Sequence, residues 1–171
     1  MKTKLLLLSF FLGTGIITFL SCSKDNNSGT SNLQVRLTDA PVAYDMVNVD
    51  IREVRVNFRD DSSGWVSLNT NAGIYNLLGL QNGRDTLLAT GNVQTETVKE
   101  IRLILGPNNT VVVGGISYPL TIPSGGDSGL KIKVGKKLNA TVEVLKIDFD
   151  AALSIKEEAG GYKLRPVLKL K

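Results

Sequence analysis

Apolar and polar residues alternate with a period of two along most of the chain beyond its N-terminal segment. In the clearest run, Val47, Val49 and Ile51 alternate with polar residues. Val54 and Val56 then resume the alternation one position out of phase. Because a strand turns successive side chains to opposite faces, the run predicts one long strand, and the change of phase predicts a β-bulge within it.

The same alternation predicts further strands in residues 101–105, 130–134, 142–155 and 162–170. Pro166 cannot donate a backbone hydrogen bond, so it favours an edge position or a bulge in the last run. Clusters of Gly, Pro, Asn, Asp and Ser separate the runs at residues 60–64, 81–83, 106–109, 123–127 and 159–161. Such clusters are typical of turns between strands.

No segment has the pattern of a long amphipathic helix, and only residues 86–89 are predicted to form a short helical turn. About eight to ten short strands, each with one apolar face, are typical of two packed sheets. We therefore predict an all-β fold, a single β-sandwich over residues 33–171. Trp65 lies beside a turn and alternates with its neighbours, which predicts an anchor in the core or at its rim.

The N-terminal segment has the order of a secretory signal. Lys2 and Lys4 precede an apolar run at residues 5–20, which ends in Leu20-Ser21-Cys22, and a polar tract follows at residues 23–32. A cysteine at this position resembles a bacterial lipoprotein signal, in which the thiol is lipidated. We predict a signal peptide at residues 1–21, lipidation of Cys22, and a flexible tether at residues 22–32 with a reach of about 17 Å.

Two alternatives to a lipid anchor remain open. The apolar run could stay as a membrane helix, but its 16 residues span only about 24 Å against a hydrocarbon core of about 30 Å. The protein could instead be secreted with Cys22 as a structural residue. The lipoprotein interpretation implies that the membrane is a partner through the anchor. It places the protein at the outer membrane, on the periplasmic or the exterior face.

Charge and residue types exclude several classes of function. Removing Lys2 and Lys4 from the 20 basic residues leaves 18 against 16 acidic ones, so a net charge near +2 does not favour a nucleic-acid partner. The chain has no histidine, and its one cysteine is the predicted lipid site. Cys/His metal sites and Ser-His or Cys-His catalysis are therefore excluded, and we expect no catalytic residues and no enzymatic activity.

Asp148-Phe149-Asp150 is the strongest candidate site in the sequence. On a strand, the two aspartates would share one side and Phe149 the other. Such a pair could bind Ca²⁺ weakly together with carbonyl oxygens and water, or act as acid and base in glycoside cleavage. The alternative is that Phe149 fills the core while both aspartates face solvent or pair with Lys or Arg. Apart from weak Ca²⁺, the sequence indicates no cofactor.

Two further aspartates are candidates for a ligand or cation site. Asp39 precedes a proline turn, where its carboxylate could bond backbone N–H groups or share in a site. Asp127 lies in a Gly/Ser-rich loop at residues 123–129, which is otherwise a hairpin connection. Eight basic residues at outward positions would form one basic face if their strands were neighbours, and that face could contact acidic polysaccharide or simply be solvated. These are Lys131, Lys133, Lys136, Lys137, Lys163, Arg165, Lys169 and Lys171.

Several motifs resemble a family of bacterial lipoproteins catalogued as domain of unknown function 4382. They lie at residues 37–41, 47–56, 101–103, 122–131, 148–151 and 162–167, and the resemblance covers residues 33–170. The resemblance implies a β-sandwich of transthyretin-like or immunoglobulin-like character, and it implies no activity. Ser23-Lys24-Asp25 resembles the signal that sends some Gram-negative lipoproteins to the exterior face.

The sequence thus predicts a non-enzymatic binding or adhesion module of the cell envelope, with a polysaccharide or an envelope protein as ligand. One alternative is a structural subunit that pairs through a sheet edge. Another is a carboxylate-dependent hydrolase. Exposed aromatic residues would favour a glycan ligand, a long uncharged edge strand would favour assembly, and a cleft with convergent carboxylates would favour the enzyme.

Overall fold

The computed structural model describes residues 29–123 and 129–171. Within these residues the chain forms fourteen strands, one short α-helix and two single 3₁₀ turns. The strands of the N-terminal half are β1 (Thr30–Thr38), β2 (Met46–Asn57), β3 (Trp65–Ser67), β4 (Asn69–Thr70), β5 (Gly73–Asn76), β6 (Thr86–Gln94) and β7 (Thr97–Leu105). The later elements are β8 (Thr110–Val113), β9 (Ile116–Thr121), β10 (Leu130–Lys137), β11 (Val142–Phe149), α1 (Ala151–Ser154), β12 (Ile155–Glu158), β13 (Gly161–Leu164) and β14 (Leu168–Leu170). The 3₁₀ turns are Ser62–Gly64 and Leu77–Leu80.

The strands form two mixed sheets that pack together, which confirms the predicted all-β sandwich. The first sheet has the order β14-β11-β1-β6-β4. The second has the order β10-β7-β2-β8-β9-β13-β12, and β3 and β5 also pair with β2. Most pairs are antiparallel, but β1 runs parallel to β11 and β13 runs parallel to β9.

The long strand β2 lies at the centre of the second sheet and confirms the predicted bulge. Its pairing with β7 shifts register between Ile51 and Glu53, where the apolar alternation changes phase. The extra residue re-aims the side chains, so the apolar residues on both sides of the bulge point into the sandwich. All five are fully buried: Val47, Val49, Ile51, Val54 and Val56.

The structure corrects two local predictions. The strand expected over residues 142–155 ends at Phe149, because Asp150 caps the helix α1 by accepting a hydrogen bond from the Leu153 backbone N–H. Leu153 is consequently 48% exposed instead of buried. The helical turn expected at residues 86–89 is wrong, because this segment begins β6 and pairs with β1. Pro166 lies between β13 and β14, outside any strand, as its missing N–H requires.

The sandwich has two distinct ends. At one end β1 begins, and the Thr95 backbone N–H donates to the Gly29 carbonyl at 2.8 Å. At the opposite end, the parallel strands β1 and β11 both terminate. Within residues 29–123 and 129–171, no helix has the length and apolar character needed to cross a bilayer.

Candidate functional site

The parallel pairing of β1 and β11 brings three of the predicted aspartates to one end of the sandwich. Thr38 lies opposite Asp148 in this register, so Asp39 follows immediately beside it, and Asp150 lies two residues beyond. All three are almost fully buried, with 3%, 5% and 8% exposure for Asp39, Asp148 and Asp150. The other two predicted site residues, Cys22 and Asp127, lie outside the described residues.

Asp39 joins three separate segments of the chain. Its Oδ1 accepts a hydrogen bond from the Ala151 backbone N–H at 3.0 Å, and its Oδ2 accepts one from Gln81 Nε2 at 3.2 Å. Burial raises the pKa of Asp39, the hydrogen bonds from Ala151 and Gln81 oppose that shift, and the nearby Asp148 charge adds to it. The carboxylate therefore holds the end of β1 to α1 and to the loop before β6.

Asp148 and Asp150 also bond within the protein. Asp148 Oδ2 lies 3.0 Å from Lys171 Nζ, while its Oδ1 is buried and has no hydrogen-bond partner among the described residues. Asp150 Oδ1 accepts from the Leu153 N–H at 3.0 Å, and its Oδ2 lies 3.8 Å from Lys169 Nζ. Phe149 between them is fully buried. This matches the alternative in which Phe149 fills the core and lysines pair with the aspartates.

These contacts make the three aspartates a structural latch, which we call the carboxylate latch (Asp39, Asp148 and Asp150). In the part of the chain that the structure describes, no group of three or more Asp or Glu side chains is arranged to hold a metal ion. Weak Ca²⁺ binding stays a prediction, and a thermal melt with and without calcium tests it. A real site would raise the melting temperature, because binding to the native state alone stabilises it.

A cleft of about 350 Å³ lies at the end where β1 begins, between the end of β2, the turn Ser62–Gly64, β3 and the last residues of β6. Phe58, Trp65, Val66 and Val93 form its apolar lining. Its polar lining combines a guanidinium, two amides, a carboxylate and a hydroxyl, and consists of Arg59, Ser63, Asn92, Gln94 and Glu96. An apolar wall with a few converging polar groups is the usual make-up of a ligand pocket. We call this feature the Trp65 cleft.

The loop that forms one wall of the cleft is held by Asn57, which is 2% exposed. Its Nδ2 donates to the Asp61 carbonyl at 2.6 Å, and its Oδ1 accepts from the Arg59 N–H at 2.9 Å. Gly64 packs so closely that a Cβ there would lie 2.3 Å from Asn57 Oδ1. These contacts hold the wall in one conformation, which reduces the entropy lost when a ligand binds.

A family model described as Domain of unknown function (DUF4382) matches residues 30–166. The chain belongs to this family. The match confirms the resemblance found in the sequence, and it covers both the carboxylate latch and the Trp65 cleft. No curated protein and no solved structure matches the chain.

The sequence singled out Trp65 only as an anchor of the core or its rim. In the DUF4382 domain Trp65 is half-buried, and it lines the cleft together with residues of β6, a strand of the other sheet. The alternation of apolar and polar residues along a strand does not reveal which strands of the two sheets lie next to each other where the sandwich is open to solvent. The one available signal was a lone tryptophan beside a turn.

The strands that carry the eight lysines and arginines are not neighbours in one sheet, which was the condition for a single basic face. In the DUF4382 domain, β10 and β13 lie in the same sheet but are separated by β7, β2, β8 and β9. Several of the cations are neutralised locally: Lys163 and Arg165 pair with Glu158 at 2.6 and 2.7 Å, and Lys136 pairs with Glu143 at 2.9 Å. The order of the strands thus separates basic residues that the sequence pattern alone would allow to lie on one face.

Proposed function

We propose that this protein is a lipid-anchored binding module of the cell envelope that holds a carbohydrate ligand in the Trp65 cleft. The observation that carries the proposal is the lining of the cleft. Phe58, Trp65 and Val66 offer the apolar surface that the C–H face of a sugar ring requires, and amide and charged side chains offer partners for its hydroxyl groups.

Non-enzymatic binding fits the cleft better than hydrolysis does. Glycoside cleavage needs two carboxyl groups about 5–9.5 Å apart. Glu96 is the one carboxylate among the described residues that line the cleft. The carboxylate latch lies at the opposite end of the sandwich, where its oxygens bond to the protein itself.

Assembly through a sheet edge is less well supported. The edge strands of the first sheet, β4 and β14, have two and three residues. The longer edge strand β10 carries four lysines, and β12 carries Lys156, Glu157 and Glu158. Short and charged edges disfavour the addition of another strand.

A lipid on Cys22 would place the cleft close to the membrane. Gly29 is hydrogen-bonded to Thr95, which lies between the cleft residues Gln94 and Glu96. The seven residues 22–28 can span at most about 25 Å when extended. The ligand that this arrangement suits is a polysaccharide of the envelope near its membrane surface.

To test this proposal, the full chain is purified from membranes in detergent and screened on a glycan array. The affinities of the best ligands are then measured by calorimetry. Trp65→Ala and Arg59→Ala should each weaken binding about tenfold or more, since each removes a group that lines the cleft. Arg84→Ala is the matched control, because Arg84 is also an exposed arginine and lies near the opposite end. The proposal fails if no glycan binds, or if both cleft variants bind like the wild type.

A further inference from the structure

Three cations lie side by side on the outer face of the second sheet. Arg55 of β2 lies directly opposite Arg102 of β7, which in turn lies opposite Lys131 of β10. Val54 and Val56 are fully buried, so Arg55 between them projects from the outer face. Like charges directly opposite each other on neighbouring strands are destabilising. We call this feature the cation row.

Neutralisation of the cation row is incomplete among the described residues. Arg55 bonds to Glu53 at 2.6 Å, but neither Arg102 nor Lys131 has a described carboxylate within salt-bridge distance. The Nε atoms of Arg55 and Arg102 are both buried, and neither has a hydrogen-bond partner. Arg102 and Lys131 are therefore two positive charges for which the described residues supply no carboxylate.

The neighbouring row on the same face shows the usual arrangement. There Glu100 lies opposite Lys133, so that charges of opposite sign are paired across the strands. Trp65 belongs to this row through its pairing with Asn57, and Asn57 pairs with Glu100. The cation row therefore differs from the row next to it, and it lies beside the tryptophan of the cleft.

Trp65 also orients the central arginine. The Arg102 guanidinium carbon lies 4.0 Å from the centroid of the Trp65 ring, a cation–π distance. A guanidinium held over an aromatic ring keeps its planar set of N–H donors, which match the two oxygens of a carboxylate. Arg102 is thus oriented by the same side chain that lines the Trp65 cleft.

We propose that the cation row binds the carboxylates of an acidic polysaccharide whose neighbouring sugar occupies the Trp65 cleft. Adjacent strands lie about 4.8 Å apart, so the three cations extend over about 10 Å. A linear chain with repeated carboxylates matches this spacing better than a single small anion does. The inference rests on the proposed glycan-binding function and narrows it to uronic-acid polymers.

The experiment compares two forms of one probe, galacturonan oligomers with free carboxylates and the same oligomers fully methyl-esterified, by calorimetry on the full chain in detergent. The free acid should bind about tenfold or more tightly than the ester, because hydrogen bonds to charged groups are the stronger ones. Added salt should reduce this preference, since part of it is screened. Arg102→Gln should remove most of the preference for the free acid over the ester, and the ratio of the two affinities is the quantity compared with the wild type.

Two further variants and one competition measurement test whether the preference for the free acid comes from the cation row. Lys131→Gln changes an exposed residue of an edge strand, so it should reduce acid binding without affecting the fold. Arg84→Gln removes the same charge away from the row and should change nothing. Vesicles containing anionic lipid should not compete with the free acid.

Each contrary outcome separates the two proposals. Equal binding of the acid and the ester would contradict the proposed role of the cation row, but it would not contradict glycan binding in the Trp65 cleft. Binding of neither form by wild-type protein overturns the row for this ligand, and the cleft proposal is then decided by Trp65→Ala on the array. An Arg84→Gln loss as large as that of Arg102→Gln would mean that only overall charge matters. Competition by anionic vesicles would assign the row to lipid headgroups instead.

Discussion

Two substitutions of Asp39 separate its hydrogen bonds from its charge. Asp39→Ala removes the acceptor of the Ala151 N–H and of the Gln81 amide, and Ala151 is fully buried. Leaving the buried Ala151 donor without an acceptor costs about 1–3 kcal/mol, and losing the bond from Gln81 costs about 1 kcal/mol more. The variant should therefore lose about 2–4 kcal/mol of unfolding free energy. Asp39→Asn keeps one carbonyl oxygen at this position and removes the charge near Asp148. At neutral pH it should stay within about 1 kcal/mol of the wild type.

The charge of Asp39 has a pH dependence whose sign follows from its environment. Burial raises the pKa of Asp39 above its ordinary value of 3.8, so the folded state holds the carboxyl proton more tightly than the unfolded state does. The contribution of this group to stability is fully present below the ordinary pKa and is lost as pH rises through the raised pKa. Acidification from neutral pH should therefore stabilise the wild type relative to Asp39→Asn, which does not titrate.

Urea unfolding of the wild type and both variants, at neutral pH and near pH 4, measures these differences. Circular dichroism reports the transition, and unchanged m-values would show that the comparison concerns stability alone. The reasoning is wrong if Asp39→Ala costs less than about 1 kcal/mol, since its bonds would then be dispensable. It is also wrong if the wild type loses stability relative to Asp39→Asn on acidification, because the sign of the pKa shift forbids that.

Three other predictions concern the core, a tight turn and the anchor. Phe149→Ala should cost about 3–5 kcal/mol in urea melts because its ring is fully buried, and a loss under about 1 kcal/mol would mean that the ring is exposed. Gly106→Ala should cost about 1–3 kcal/mol in the same assay, because the added Cβ would lie 2.2 Å from Asp50 Oδ2. The matched control is Gly73→Ala, which should change stability little because no atom lies within 4 Å of the added Cβ. Cys22→Ser should leave the protein uncleaved or release it from the membrane fraction, which fractionation and mass spectrometry would show. A mature wild-type protein without a lipid on Cys22 would contradict the predicted lipid anchor.

The direction of a side chain is a local property of the backbone, and the sequence by itself predicts it well. In β2 the alternation predicted the buried valines and the bulge, because each residue of a strand reverses the face of the one before it. Phe149 was assigned to the core for the same reason. The error at residues 150–154 arose where Asp150 capped a short helix, since a capping bond competes with strand continuation.

Which strands become neighbours is not a local property, and only the tertiary structure decided it. The alternation in β1 and β11 is compatible with many sheet orders, yet their parallel pairing is what brings Asp39 beside Asp148. The Trp65 cleft requires β3 of one sheet and β6 of the other to lie side by side. The cation row exists because the registers of β2, β7 and β10 align Arg55, Arg102 and Lys131. Period-two patterns determine which face a residue occupies, whereas long-range packing of the whole core determines what that face meets.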